Sequence, residues 1–264
     1  MNSFFLSIPD QQAEQWLHVL ADIDSSCQLE LSFDVLNRTE LMENIAVKDL
    51  KIAAVRYPLV PEITRNVGKL SDPMRQQALY MFRERVALLH GREIDKTIID
   101  AGFGRPEMVE SGGGFDEKVN FIKELMPAAA SYEVQVCLRS RFPPAYPGDP
   151  QWDHVGNIIH EVMHPNCRLA LDLFPNETEP EFSPQRFLRE CGYHIALIRF
   201  NFDPLANEAL STELMSSWRQ ALEKYNFRGD IGLRLLGEMN SEQITGIVPR
   251  LRAPVQALLK SESR

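Results

Sequence analysis

The chain has no apolar run approaching the ~20 residues that a membrane-spanning helix requires. No Gly-x-Gly-x-x-Gly follows its first apolar stretch, which removes the phosphate-binding turn of a dinucleotide fold. Positive charge is short: 28 Lys and Arg stand against 37 Asp and Glu, a formal net charge of -9, which argues against a broad nucleic-acid-binding face but not against a local basic pocket. Cysteine is limited to Cys27, Cys137, Cys167 and Cys191, spaced too widely for a metal-binding pair. Three of them fall in or beside apolar stretches, so packed, reduced thiols and a cytoplasmic location are expected. Low-complexity segments and domain linkers are lacking, and Met1 to Asp10 is too short and uncharged to read as a signal peptide.

What is present is a recurring pattern. Val134 to Phe142 reads as a buried strand that ends on two arginines, Arg139 and Arg141, before a proline-rich loop. A charge at the end of an apolar strand needs a partner or a ligand, because an unpaired buried charge is costly. The pattern recurs at Ala53–Val55 into Arg56, Leu169–Leu171 into Asp172, Ala196–Ile198 into Arg199, and Ile231–Leu233 into Arg234.

Strands are expected at Phe4–Ile8, Cys27–Phe33, Lys51–Tyr57, Lys96–Gly102, Glu133–Phe142, Cys167–Phe174, Ile195–Phe202 and Asp230–Leu236. Helical spacing fills the intervals: Gln11–Ile23, Asn37–Asp49, Ser71-Asp72-Pro73 opening a helix to about Leu89, Asp116–Ala130, Gln151–His164, Gln185–Cys191, Thr212–Tyr225, and Glu242–Leu259 after the cap Asn240-Ser241. Alternating strands and helices imply parallel strands with helical crossovers. Eight such units in 264 residues, at 44% hydrophobic and 25% charged content, predict a single α/β domain over residues 1–264, a (β/α)8 TIM barrel.

Such barrels place their sites at the C-terminal ends of the strands. Period-two alternation then sorts the inward residues. Glu30 and Ser32 face in on the second strand, Arg56 on the third, and Gln135, Cys137, Arg139 and Arg141 on the fifth. Arg199 and Asn201 face in on the seventh, and Gly232 and Arg234 on the eighth, with Asp172 and Asp100 completing the set. One reading pairs Arg56, Arg139, Arg199 and Arg234 with Glu30, Asp100 and Asp172 in a structural network. The other gives the surplus arginine to an anion, a carboxylate or phosphate on a small ligand, held with bidentate geometry.

Several stretches carry a resemblance: Leu29-Glu30-Leu31-Ser32, Ala54-Val55-Arg56-Tyr57-Pro58, Leu70-Ser71-Asp72-Pro73, Leu169-Ala170-Leu171-Asp172, and Phe227-Arg228-Gly229-Asp230-Ile231-Gly232-Leu233-Arg234. In order and spacing, over nearly the whole chain, this resembles the xylose isomerase-like TIM barrels. That superfamily includes sugar and sugar-phosphate isomerases and epimerases and a class of apurinic endonucleases. The resemblance implies a divalent metal held by a glutamate after the fifth strand, an aspartate after the sixth, a histidine near the seventh and a glutamate after the eighth. By position these fall on Arg139, Asp172, Arg199 or Asn201, and Arg234. The family's third-strand histidine falls on Arg56, and the histidine after the sixth-strand aspartate is missing from Asp172-Leu173-Phe174-Pro175. Arginine does not ligate a divalent ion, so neither a metal nor another cofactor is expected.

If proton transfer survives, its base comes from Asp172, Glu30 or Asp100, with arginines stabilising an enediolate-like anion. A carboxylate ringed by arginine is a poor base, which argues against efficient proton abstraction. The ligand contacts are assigned to Arg56, Arg139, Arg141, Arg199, Asn201, Arg234 and Asp100. The leading expectation is an isomerase/epimerase-like barrel with a degenerate metal site, binding a small anionic or sugar-like ligand. An active isomerase or epimerase, metal-free or with an atypical site, and a non-catalytic pseudoenzyme acting as a partner protein are the competing expectations. No nucleic acid and no membrane is expected as a partner, and the oligomeric state is left open, a homo-oligomer included.

Two motifs stand apart. His160-Glu161-Val162-Met163-His164 matches the His-Glu-x-x-His metalloprotease pattern, but its helix leads into the N-terminal end of a strand, away from the expected site. Gly112-Gly113-Gly114 precedes a helix without Gly-Lys-Ser/Thr, which reads as a loop over the barrel mouth rather than a phosphate cradle. Tyr146, Trp152 and Phe174 lie in or near loops where aromatics either pack the loop or stack on a sugar-like ligand.

Overall fold

Eight parallel strands form in chain order and close into a barrel, β1-β2-β3-β4-β5-β6-β7-β8. In this computed structural model the described residues are 4–19, 26–100, 114–142, 151–174, 183–203, 212–237 and 239–259. The strands are β1 Phe4–Ser7, β2 Gln28–Ser32, β3 Ile52–Arg56, β4 Lys96–Ile99, β5 Gln135–Phe142, β6 Cys167–Leu173, β7 Ile195–Phe202 and β8 Asp230–Leu235. The α-helices among the described residues are α1 Ala13–Leu17, α2 Thr39–Val47, α3 Pro61–Arg65, α4 Asp72–His90, α5 Phe115–Ser131, α6 Gln151–Val162, α7 Pro184–Cys191, α8 Thr212–Lys224 and α9 Ser241–Leu259. By internal contacts the chain divides into two compact units, residues 1–52 with 173–264, and residues 53–172.

In the first unit, register follows from which residues fit inside. Phe5 pairs with Gly232 across β1 and β8, and Arg199 pairs with the same glycine from β7. A Cβ on Gly232 would meet the Phe5 ring at 2.5 Å and the Phe5 carbonyl at 2.6 Å, so this position accepts only glycine. One row further along, Ser7 pairs with both Glu30 and Arg234, and Asn201 pairs with Arg234. Four polar positions thus share one row, two residues along from the row of Phe5, Gln28, Gly232 and Arg199. Outside, Trp218 of α8 is buried edge-on against Phe200 at 5.4 Å and against Phe187 of α7 at 6.1 Å. At α9, Asn240 accepts from the Gln243 backbone N–H while the Gln243 side chain accepts from the Asn240 N–H, a reciprocal cap.

In the second unit, β4 pairs in parallel with β3 and β5. The apolar faces of α4 and α5 bury Phe82, Val86, Phe121, Ile122 and Leu125. Cys137 and Cys167 are buried free thiols, and burial pushes both up to about 12, which leaves them protonated and inert at neutral pH. Cys27 is likewise buried and free, and the Cys191 side chain lies outside the described residues. Among the described residues no helix is long and apolar enough to cross a membrane.

Some boundaries differ from expectation, each with a local cause. The helix expected over Gln151–His164 stops at Val162: Met163 takes φ 47, and Pro165 disfavours helical backbone just before it. The helix expected from Gln11 opens as a 3-10 turn over Asp10–Gln12 before α1. The fourth strand stops at Ile99, short of the expected Gly102. Residues 101–113, Gly112 and Gly113 among them, lie outside the described residues, as does Tyr146. The helix α3 was not expected at all.

Two glycines give opposite predictions. Gly232→Ala should cost about 1–3 kcal/mol through overpacking on Phe5. Gly156→Ala, on α6 with nothing within 4 Å of the new Cβ, should gain about 0.5–1 kcal/mol. Urea midpoints of the two variants check both signs.

Candidate functional site

In the unit of residues 1–52 and 173–264, the inner face of β2 brings Glu30 to Arg199 of β7. Arg199 Nη1 donates to Glu30 Oε1 at 3.1 Å, and both side chains are 0% exposed. The Ser7 hydroxyl donates to the same oxygen at 2.8 Å. Two long side chains from different strands are therefore locked together inside the barrel. Asn201 donates its amide to Leu173 O at 3.3 Å and to Arg199 O at 3.1 Å. Its Oδ1 and the Ser32 hydroxyl are both buried and meet no hydrogen-bond partner among the described residues. Each needs a partner of complementary chemistry, since an unmade buried hydrogen bond costs about 1–3 kcal/mol. Arg234 is half-buried in the row of Ser7, Glu30 and Asn201.

In the unit of residues 53–172, the ends of β4, β5 and β6 converge. Arg139 Nε donates to Asp172 Oδ2 at 2.6 Å, and Arg139 Nη1 lies 3.7 Å from Asp100 Oδ2. That same Asp100 oxygen accepts from Arg65 Nη2 of α3 at 2.6 Å. Asp172 is 1% exposed, whereas Arg139 keeps 24% of its side chain exposed and Arg65 33%. Burial works against the Arg139 charge, but Asp172, Tyr57 and Asp100 outweigh it and hold the guanidinium above its ordinary value. Arg56 is buried at the end of β3, and Arg141 is half-buried on β5.

The sequence-expected residues therefore fall into two clusters. Glu30, Arg199, Asn201 and Arg234 belong to one unit, and Arg56, Asp100, Arg139, Arg141 and Asp172 to the other. Three further residues were not expected. Arg65 binds Asp100, and Tyr57 faces Arg139 electrostatically while holding φ 58 immediately before Pro58. A left-handed residue costs of order 1–3 kcal/mol, and such strain gathers at functional positions. Its place between an inward arginine and a proline was the available signal for Tyr57. The third is Lys118 of α5, buried beside Thr64, Val67, Phe121 and Ile122. Desolvation lowers its pKa, and Asp100 partly opposes that shift.

Asp172, which the sequence left as the one ligand-type residue, has Arg139 at hydrogen-bond distance. Among the described residues no three His, Cys, Asp or Glu side chains gather as a metal-sized group. The His-Glu-x-x-His pattern is not a metal site either. His164 lies beyond the end of α6, off the helical face of His160, and its Nδ1 accepts from the Asn166 backbone N–H at 3.1 Å.

These charges generate two predictions. Arg199→Met leaves Glu30 buried without its guanidinium and should cost about 3–5 kcal/mol, while Glu30→Gln with Arg199→Met should recover most of that loss. Equilibrium unfolding of the single and double variants measures it. Lys118 has a depressed folded-state pKa, so below the ordinary lysine value of 10.5 the unfolded chain binds its proton more readily. Stability from this group should rise with pH between the depressed value and 10.5, and Lys118→Met should flatten that alkaline rise in a melting-temperature series.

No protein-family model matches the chain, and no curated protein matches it. Solved structures do. A D-psicose 3-epimerase from Clostridium cellulolyticum H10, crystallised with D-tagatose, is 13% identical with a TM-score of 0.67, covering 98% of each chain. An L-ribulose 3-epimerase is 12% identical with a TM-score of 0.67, covering 100% of each. A family 2 AP endonuclease from Brucella melitensis is 14% identical with a TM-score of 0.65, over 94% of this chain and 99% of that one. At these identities the likeness is one of fold: the chain shares with these structures a closed eight-stranded parallel barrel.

Proposed function

We propose that this protein is a sugar isomerase/epimerase-like barrel in which arginines stand where a divalent-metal site would be. In this reading it binds a small anionic or sugar-like ligand at the C-terminal ends of its strands. One observation carries the proposal. Arg139 commits its Nε to Asp172, yet neither of its terminal nitrogens makes a hydrogen bond among the described residues, and the side chain stays 24% exposed. A guanidinium pinned at Nε, with Nη1 at ion-pair distance from Asp100 and both terminal nitrogens short of a hydrogen bond, is oriented for a bidentate oxyanion or a pair of hydroxyls. Arg56 closes β3, and Arg141 lies one residue from the end of β5.

The carboxylates named as bases support binding over catalysis. Glu30 and Asp172 each accept from an arginine, at 3.1 and 2.6 Å. Either oxygen would have to part from that donor before it could reach a substrate proton.

Thermal shift with sugar acids and sugar phosphates tests the reading. The wild-type protein should be stabilised by at least one of them. Arg139→Lys keeps a cation for Asp172 but removes the fork, and should weaken that ligand about tenfold or more. A protein that responds to none of them, and whose Arg139→Lys variant behaves identically, would sink the proposal. Metal analysis after dialysis without chelator should find no stoichiometric divalent ion. About one manganese, zinc or magnesium per chain would return a metal-dependent isomerase to the lead.

A further inference from the structure

We infer that Arg65 and Arg139 form a two-armed clamp for an oxyanion, carboxylate or phosphate, on a small molecule, and that Asp100 is its internal competitor. The inference rests on the ligand-binding reading above and names the chemistry of one part of that ligand.

The geometry starts from a single oxygen. Asp100 Oδ2 accepts from Arg65 Nη2 at 2.6 Å and lies 3.7 Å from Arg139 Nη1. Two guanidinium groups thus converge on one carboxylate from different elements, Arg65 from the end of α3 and Arg139 from within β5. Neither spends its full set of donors. Among the described residues Arg65 makes that one side-chain hydrogen bond, and Arg139 makes only the bond from Nε to Asp172. Both side chains are partly exposed, 33% and 24%, while Asp100 itself is 8% exposed. A carboxylate shared this way marks the place where a second oxyanion gains from both arms, and Asp100 keeps the arms aligned toward that place.

The arm on α3 is held in place. The Thr64 hydroxyl donates to the Asp100 carbonyl at 2.6 Å, tying the helix to the end of β4. Arg85 Nη1 of α4 donates to the Pro58 carbonyl at 2.6 Å, and Tyr57 N–H donates to Ile98 O at 2.9 Å, fixing the chain that leads from β3 into α3. The Arg65 backbone is therefore anchored from both sides, so closing on a ligand orders little beyond the side chain. Carboxylate and phosphate share the required feature, two oxygens spaced for guanidinium N–H donors. A neutral sugar lacks the charge.

Competition sets the test, because Asp100 would oppose the ligand rather than bind it. Isothermal titration with gluconate, glucose 6-phosphate, inorganic phosphate and neutral glucose gives the wild-type affinities. Arg65→Ala should weaken the bound anion about tenfold and leave glucose unchanged. Asp100→Asn, nearly isosteric, should tighten the anion about three- to tenfold, because a negative charge leaves the clamp. Preference for gluconate over both phosphates assigns a carboxylate, and the reverse order assigns a phosphate. Arg65→Lys, which keeps the charge at Asp100, guards against an Arg65→Ala variant that fails to fold and should show a smaller loss. An anion that binds in an Arg139-dependent way, yet is indifferent to Arg65→Ala and weakened by Asp100→Asn, overturns the clamp alone. Absence of any anion or sugar binding by the wild-type protein overturns the ligand-binding reading beneath it.

Discussion

An arginine inside a barrel has to meet a carboxylate, because the guanidinium keeps its charge and an unpaired buried charge costs several kcal/mol. That constraint orders the inner face of this chain. Arg199 is fully buried and reaches Glu30, and Arg139 reaches Asp172, itself fully buried. Each pair joins residues far apart in sequence, so the strands that carry them cannot shift by one residue without burying a lone charge. Gly232 adds a steric version of the same rule. Phe5 occupies the space a side chain would need there, and a slipped register would force a collision.

The pairing has a chemical consequence. A carboxylate oxygen that accepts from a guanidinium at 2.6 or 3.1 Å has part of its acceptor capacity taken. The arginine is left with donors. At Arg139, Nε is committed to Asp172 while Nη1 stands 3.7 Å from Asp100 Oδ2.

Much of the barrel was legible because its strands obey local rules. Apolar runs bounded by proline, glycine and charge located the strands, and β7 spans the residues read from the sequence, Ile195–Phe202. Period-two alternation sorted Glu30, Arg199 and Arg139 to the inside, where their ion pairs lie. What alternation could not supply was partner choice. Whether Arg139 meets Asp172, Asp100 or Glu30 depends on the stagger of strands around the barrel, a property of closure rather than of any one segment. Helix ends were misread where backbone chemistry overrides periodicity, as at Met163, where the left-handed turn before Pro165 cuts α6 short.

Arg65 was missed for a different reason. α3 is five residues long, too short for helical periodicity to register, and lies between prolines that read as loop. Loops carried by a rigid scaffold are where binding residues concentrate, because they can change without disturbing the core. The likeness to solved epimerases fits that division of labour. Identities of 12 and 13% over essentially whole chains are enough to keep alternation, helix faces and closure. They leave the strand ends and the loops after them free to diverge. The barrel is therefore shared at identities that carry no information about the side chains at its strand ends.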